Sequence, residues 1–294
     1  MHLFQVKRQK MDKSRRKSRL KRPFLSVVFI ILFLGFIGII DYPYLVRLYN
    51  EQIQGGVVMS QEQAVEQAGD QRIREELEKA EEYNAALALS GVSLADAFQA
   101  QKEADDGYES MLNLQGDGVM GMIEIPKLSL TLPIYHGTSE ETLQKGAGHL
   151  QGSSLPVGGT GTHTCISAHR GLPDKELFTN LDQMEKGDIF FLKVMGETLC
   201  YRIFQIETVE PDDTDSLSVV QGKDQATLIT CTPYGLNTHR LYLHGERIPW
   251  NGEFGENGDQ SMGIRQFLVK YWWTAATAAL LLWMGYLLYR LNRK

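Results

Sequence analysis

The chain has 294 residues, of which 43 % are hydrophobic, which is room for one or two domains with an ordinary core. Residues 41–266 hold 16 Lys and Arg against 35 Asp and Glu, a net of −19 that repels polyanions and argues against nucleic acid as a partner. Three cysteines, an odd number, exclude the dense framework of a disulfide-stapled secreted domain.

Ten Lys and Arg crowd residues 1–23 against Asp12 alone, a basic tail. Residues 24–40 carry no charge and consist largely of Phe, Leu, Val, Ile and Gly, the composition of a transmembrane helix. A cleaved signal peptide begins the same way, but Asp41-Tyr42-Pro43-Tyr44 follows without a small-x-small cleavage pattern, which favours a retained anchor. Residues 41–118 form a helical region. Within it, 60–86 is polar and amphipathic, with Ile73, Leu77 and Ala80 at helical spacing, and predicts one helix or a helix pair. Residues 91–115 read as a loop, because Ala104-Asp105-Asp106-Gly107-Tyr108 is a turn-forming cluster.

From 119 to 250 short runs of Ile, Val, Leu, Thr, Phe and Tyr alternate with Gly, Pro and Asp turns. Strands are expected at 120–125, 129–135, 162–168, 188–194, 198–208, 226–231 and 240–246, with helical insertions at 139–145 and 177–184. Such strand density predicts a mainly β domain, a closed or nearly closed β-barrel. Residues 251–270 are a linker. Residues 271–289 are a second transmembrane helix, with Trp272, Trp273, Trp283, Tyr286 and Tyr289 as interface aromatics, and 290–294 a short basic tail. The excess of Lys and Arg at both ends places both termini in the cytoplasm and the domain between them outside.

Three side chains stand out chemically. Cys231 closes a predicted strand stopped by Pro233, so its thiol sits at a barrel rim, whereas Cys165 and Cys200 lie inside predicted strands and read as small buried hydrophobes. Arg240 opens the next strand and, if the two strands pair, delivers a cation that can stabilise a thiolate or an oxyanion. His169 ends another strand before a Gly and Pro loop and supplies a group that exchanges protons near neutrality. His2, His136, His149, His163, His239 and His244 read as structural or surface residues. His163, Cys165 and His169 match no usual zinc spacing, so no metal is expected.

The run Thr227-Leu228-Ile229-Thr230-Cys231-Thr232-Pro233-Tyr234, followed by Asn237-Thr238-His239-Arg240-Leu241, resembles the Cys and Arg strands of sortases, and Ser167-Ala168-His169-Arg170-Gly171 resembles their His segment. The likeness extends through Ile123-Glu124-Ile125-Pro126-Lys127, Leu132-Pro133-Ile134-Tyr135 and Lys145-Gly146-Ala147-Gly148-His149-Leu150, and covers about residues 119–248. It implies a membrane-anchored cysteine transpeptidase in which Cys231 attacks the Thr carbonyl of an LPxTG-type signal, His169 exchanges the protons and Arg240 holds the substrate backbone or the oxyanion. No cofactor is implied. Class C members, which polymerise pilins through a Lys amine, carry a C-terminal span and a lid with Asp-Pro-aromatic. Asp106-Gly107-Tyr108 resembles that lid motif, near 104–109, with Gly in place of the φ-restricting Pro. The partners so implied are LPxTG-type pilins or surface proteins and the membrane. A wall-anchoring sortase, a hydrolytic cysteine protease and a tethered binding barrel are the competing readings.

Overall fold

The computed structural model describes residues 2–90, 94, 95, 98 and 106–250, with 272, 276, 277, 279–281, 283, 285 and 286 near the C-terminus. The chain divides into two compact units, Met1–Val46 with Tyr271–Lys294, and Arg47–Lys270. Helix α1 (His2–Ala68) ends at Gly69, whose φ of +76° is a left-handed conformation that a residue with a Cβ adopts only at a cost. Helix α2 (Asp70–Ser90) follows, so the polar stretch at 60–86 is a helix pair. Ile73, Leu77, Ala80 and Tyr83 of α2 pack on the barrel core. Asn84 is buried and fastens α2 further: its Nδ2 donates to Leu155 O at 3.1 Å and its Oδ1 accepts from Leu155 N at 2.6 Å.

Among the described residues no helix is long and apolar enough to cross a membrane. The expected span at 24–40 is helical within α1, but its side chains up to residue 30 and at 40 lie outside the described residues. The linker at 251–270 and most of the expected span at 271–289 lie outside them too.

The β expectation holds in outline. Eight strands close a barrel in the order β1-β2-β3-β4-β7-β8-β6-β5. They are β1 (Val119–Ile125), β2 (Leu130–His136), β3 (Ala147–His149), β4 (Thr162–Ser167), β5 (Ile189–Val194), β6 (Glu197–Val209), β7 (Asp224–Thr232) and β8 (His239–Ile248). Pairing is antiparallel except for β2 with β3 and β4 with β7. Three expectations need correction. Strand β3 lies in a stretch for which no strand is expected. Residues 177–184 form only a 3-10 turn at Leu181–Gln183 instead of a helix. The supposed turn cluster contains the helical turn α3 (Asp106–Ser110), and just beyond it Leu112 N donates to Glu76 Oε2 on α2 at 3.1 Å.

Side chains alternate across a strand, and here the two faces meet different cores. Ala226, Leu228, Leu241 and Leu243 belong to the large cluster with Ile123, Leu132, Phe190 and Tyr201. Ile229 and Tyr242, on the other face of β7 and β8, belong to a smaller cluster with Leu150, Cys165 and Leu217, packed by Leu94, Phe98 and Val209. The candidate site lies on this second face.

Candidate active site

Cys231 and Arg240 are direct partners in the β7–β8 ladder, so their side chains leave the same face with Cβ atoms about 5 Å apart. The same parity puts Ile229 opposite Tyr242 and Thr227 opposite His244 on that face. Cys231 is 8 % exposed and Arg240 5 %. Arg240 Nη1 donates to the carbonyls of Asn237, at 3.3 Å, and His239, at 3.2 Å, so the loop that joins the strands also holds the guanidinium. Asn237 makes that turn at φ +56°, with its N–H donating to Pro233 O.

His169 arrives from β4, the parallel neighbour of β7. The pairing runs from Thr162 opposite Asp224 to Ser167 opposite Ile229, and Ala168 N donates to Ile229 O at 3.1 Å just beyond it. Gly171 turns the chain away at φ +84°, a left-handed conformation that favours Gly, and a Cβ there would sit 3.0 Å from the Tyr234 ring. His169 Nε2 lies 3.2 Å from Glu140 Oε2, an ion-pair distance without hydrogen-bond alignment. Glu140 starts α4 (Glu140–Lys145), its other oxygen accepting from Gln144; that bond first, and His169 after it, hold its carboxyl below the usual range.

One ring joins His169 to Arg240. Phe98 stands 5.8 Å from the His169 ring, centroid to centroid, and the Arg240 Cζ lies 5.0 Å from the Phe98 centroid, a cation–π distance. Leu94, in the same segment, has its carbonyl bound by Thr214 Oγ1 at 3.1 Å. Leu94 and Phe98 therefore lie over the face that carries Cys231.

Of the two lid residues expected from the sequence, Asp106 and Tyr108, the structure describes the side chain of Tyr108. Tyr108 is 2 % exposed, and its hydroxyl meets His149 Nδ1 at 2.8 Å, donates toward His149 O at 3.2 Å and accepts from Gly137 N at 3.1 Å. Its ring stands edge-on to His136 at 5.1 Å. It pins α3 to the barrel, and the ring against His169 and Arg240 is Phe98. The Asp106 side chain lies outside the described residues. A sequence signal for Phe98 did exist, since Asp96-Ala97-Phe98 has the same Asp-x-aromatic spacing as Asp106-Gly107-Tyr108.

The other two thiols and most of the other histidines are structural. Burial pushes the Cys165 thiol up to about 12 and the Cys200 thiol up to about 11. His136 and His149 end β2 and β3. His163 Nε2 and His244 Nδ1 share the Thr227 hydroxyl at 2.7 and 2.8 Å, and His244 Nε2 reaches Glu207 Oε1 at 3.0 Å. Among the described residues no cluster of His, Cys, Asp and Glu could hold a metal ion.

A profile of the sortase domain matches residues 123–248. The solved sortase C of Streptococcus pneumoniae is 44 % identical, with a TM-score of 0.63 over 67 % of this chain and 99 % of that one. The chain belongs to the sortase family. Sortase C1 of Streptococcus agalactiae (42 % identity, TM-score 0.62, 66 % of this chain and 99 % of that one) and sortase C-1 of Actinomyces oris (44 %, 0.58, 60 % and 99 %) are similar as well. All three are sortases of class C, and this sortase is a cysteine transpeptidase of that type. Among curated relatives, Sortase A of Streptococcus agalactiae is 32 % identical over 55 % of this chain and 67 % of its own length. Sortase D of Bacillus subtilis is 31 % identical over 44 % of this chain, and the matched part spans 63 % of that relative's length.

Proposed function

We propose that this sortase joins pilin subunits, with Cys231 as nucleophile, His169 as proton carrier and Arg240 as the substrate-positioning cation. The observation that carries the assignment is the pairing of Cys231 with Arg240 on one strand face, under the same Phe98 ring that touches His169. The Cys231 thiolate attacks the Thr carbonyl of an LPxTG-like signal, and Arg240 offers its N–H groups to the oxyanion. The bond to the following residue breaks as His169 gives its proton to the leaving amine. A Lys amine of a second pilin then attacks the thioester, His169 takes the amine's proton, and Cys231 leaves as thiolate. The thioester conserves the energy of the cut bond, so no ATP enters.

Membrane attachment belongs to the same proposal and rests on the apolar runs at 24–40 and 271–289, with both termini cytoplasmic and the barrel outside. The Phe98 ring takes the part of a lid, excluding water from the thiol until substrate displaces it. The pilin acceptor is favoured over a peptidoglycan precursor because the solved relatives at 42–44 % identity are sortase C enzymes, one of them described for its pilin substrate specificity.

The test is to incubate the full-length enzyme in detergent with candidate pilins and look for a ladder of covalent oligomers. The ladder is expected with wild type and absent with Cys231→Ala. Transfer to a peptidoglycan-like amine with no ladder would replace the pilin acceptor with the wall precursor.

A further inference from the structure

His169 and Cys231 each sit between two residues that tie the same pair of strand ends together. Before His169, Ala168 accepts at its carbonyl from Thr230 Oγ1 at 2.8 Å, while its N–H donates to Ile229 O at 3.1 Å. After His169, Arg170 Nη1 donates to Thr232 Oγ1 at 3.1 Å. Residues 168 and 170 are therefore bonded to residues 230 and 232, and the two functional side chains project from the positions between.

The second tie is the unusual one. The β4–β7 ladder ends at Ser167 and Ile229, and the Gly171 turn then carries the two chains apart, so no backbone pairing is left to fix residues 169 and 231 relative to one another. Arg170 spans that opening. Its side chain is only 7 % exposed and all three guanidinium nitrogens have partners: Nε donates to Thr179 O at 3.2 Å, Nη1 to Thr232 and Nη2 to Asp182 Oδ2 at 2.5 Å. The planar fork makes these bonds in fixed directions, which a flexible ammonium cannot reproduce.

We infer that Arg170 is a positioning residue for transpeptidation, a strap from the His169 loop to the end of β7 that sets the separation of His169 and Cys231. The inference rests on the proposed roles of those two residues. It assigns Arg170 no contact with substrate, in contrast to Arg240 on the other side of Cys231. Asp182 and Thr179 hold the strap at one end, and Thr232 receives it at the other.

Proton transfer between imidazole and sulfur depends steeply on their separation, so slackening the strap should act on the chemical step more than on binding. In the full-length enzyme, Arg170→Lys is expected to lower kcat for cleavage of a sorting-signal peptide about 10- to 100-fold with KM within about twofold. The pH profile for alkylation of Cys231 by iodoacetamide should move to higher pH, because a displaced imidazole stabilises the thiolate less. Asp182→Asn, at a half-exposed position, should shift both readouts the same way by a smaller factor. Unchanged kcat per folded molecule and an unchanged alkylation profile in both variants would overturn the strap, as would a loss confined to KM. Failure of the underlying assignment looks different: Cys231→Ala would then still cleave the peptide.

Discussion

Phe98 and Tyr108 each follow an aspartate by two positions, and the surroundings of the two rings give them opposite jobs. Phe98 leans on a cation and an imidazole at the mouth of the site, while Tyr108 is sealed against His149 with its hydroxyl bonded on three sides. Removing the Phe98 ring forfeits apolar contact and a cation–π interaction together worth about 1–2 kcal/mol, which shifts the opening of the segment by roughly tenfold. Phe98→Ala is accordingly expected to speed modification of Cys231 by a thiol reagent about tenfold, with little change in melting temperature. Tyr108→Phe should do the reverse. It strands a buried imidazole nitrogen and a backbone N–H, at a cost of about 1–3 kcal/mol, and leaves the modification rate as it was. Stopped-flow thiol kinetics and thermal melts on the two variants separate the roles. A faster rate in Tyr108→Phe would return the lid to that residue. The spacing alone could not make this choice, because both tyrosine and phenylalanine satisfy the motif and only the buried partner of the hydroxyl tells them apart.

At the scale of elements, the strand with the weakest sequence signal is the one that shuts the barrel between β2 and β4. Strand β3 is Ala147-Gly148-His149, three residues with a Gly at the centre and no alternation to read. Its composition has a steric cause: a Cβ on Gly148 would run into the Gly137 carbonyl and lie 3.0 Å from Leu143 Cδ2. The carbonyl is backbone and cannot turn aside, so Gly148→Ala must push β3 off β2 or β4. The expected cost is about 3 kcal/mol, a drop of roughly 6–12 °C in melting temperature. An alanine variant as stable as wild type would show that β3 is not wedged there. The longer strands were legible because each carries a run of branched or aromatic residues between turn formers, as Ala226–Cys231 does between Asp224 and Pro233. Cys231 and Arg240 were legible as a pair for the same reason, since a short loop between two strands predicts antiparallel neighbours. Arg170 was not. Its partners Thr179, Asp182 and Thr232 are scattered in sequence and meet only once β4 and β7 are laid in parallel.

The whole molecule has a pH dependence built into its buried histidines. His149 is fully buried and His163 nearly so, and burial holds both down to about 4; His244 is lowered as well, again chiefly by burial. Each is neutral in the fold at pH 7 and free to protonate near 6.5 once unfolded. Below about pH 6.5 the unfolded chain therefore binds more protons than the folded one, and stability falls with pH until the folded value near 4 is reached. For His149 and His163 the shift is worth about 3 kcal/mol apiece at most, a large share of the 5–15 kcal/mol that holds a typical domain. The exposed carboxylates act in a lower window, since Glu140 and Glu141, with pKa values below the ordinary carboxylate value of about 4.5, lose their stabilising charge only near or beneath it. The barrel should therefore lose melting temperature steeply between pH 6.5 and 4, and change little between pH 7 and 8. Calorimetry across that range checks it, and His149→Gln should flatten the slope even though the substitution itself lowers stability at neutral pH. A melting temperature constant from pH 7 to 4 would mean that these rings take up protons in the fold as readily as outside it. The hydrogen bonds between Tyr108 and His149, and between Thr227 and both His163 and His244, would then need a different set of donors.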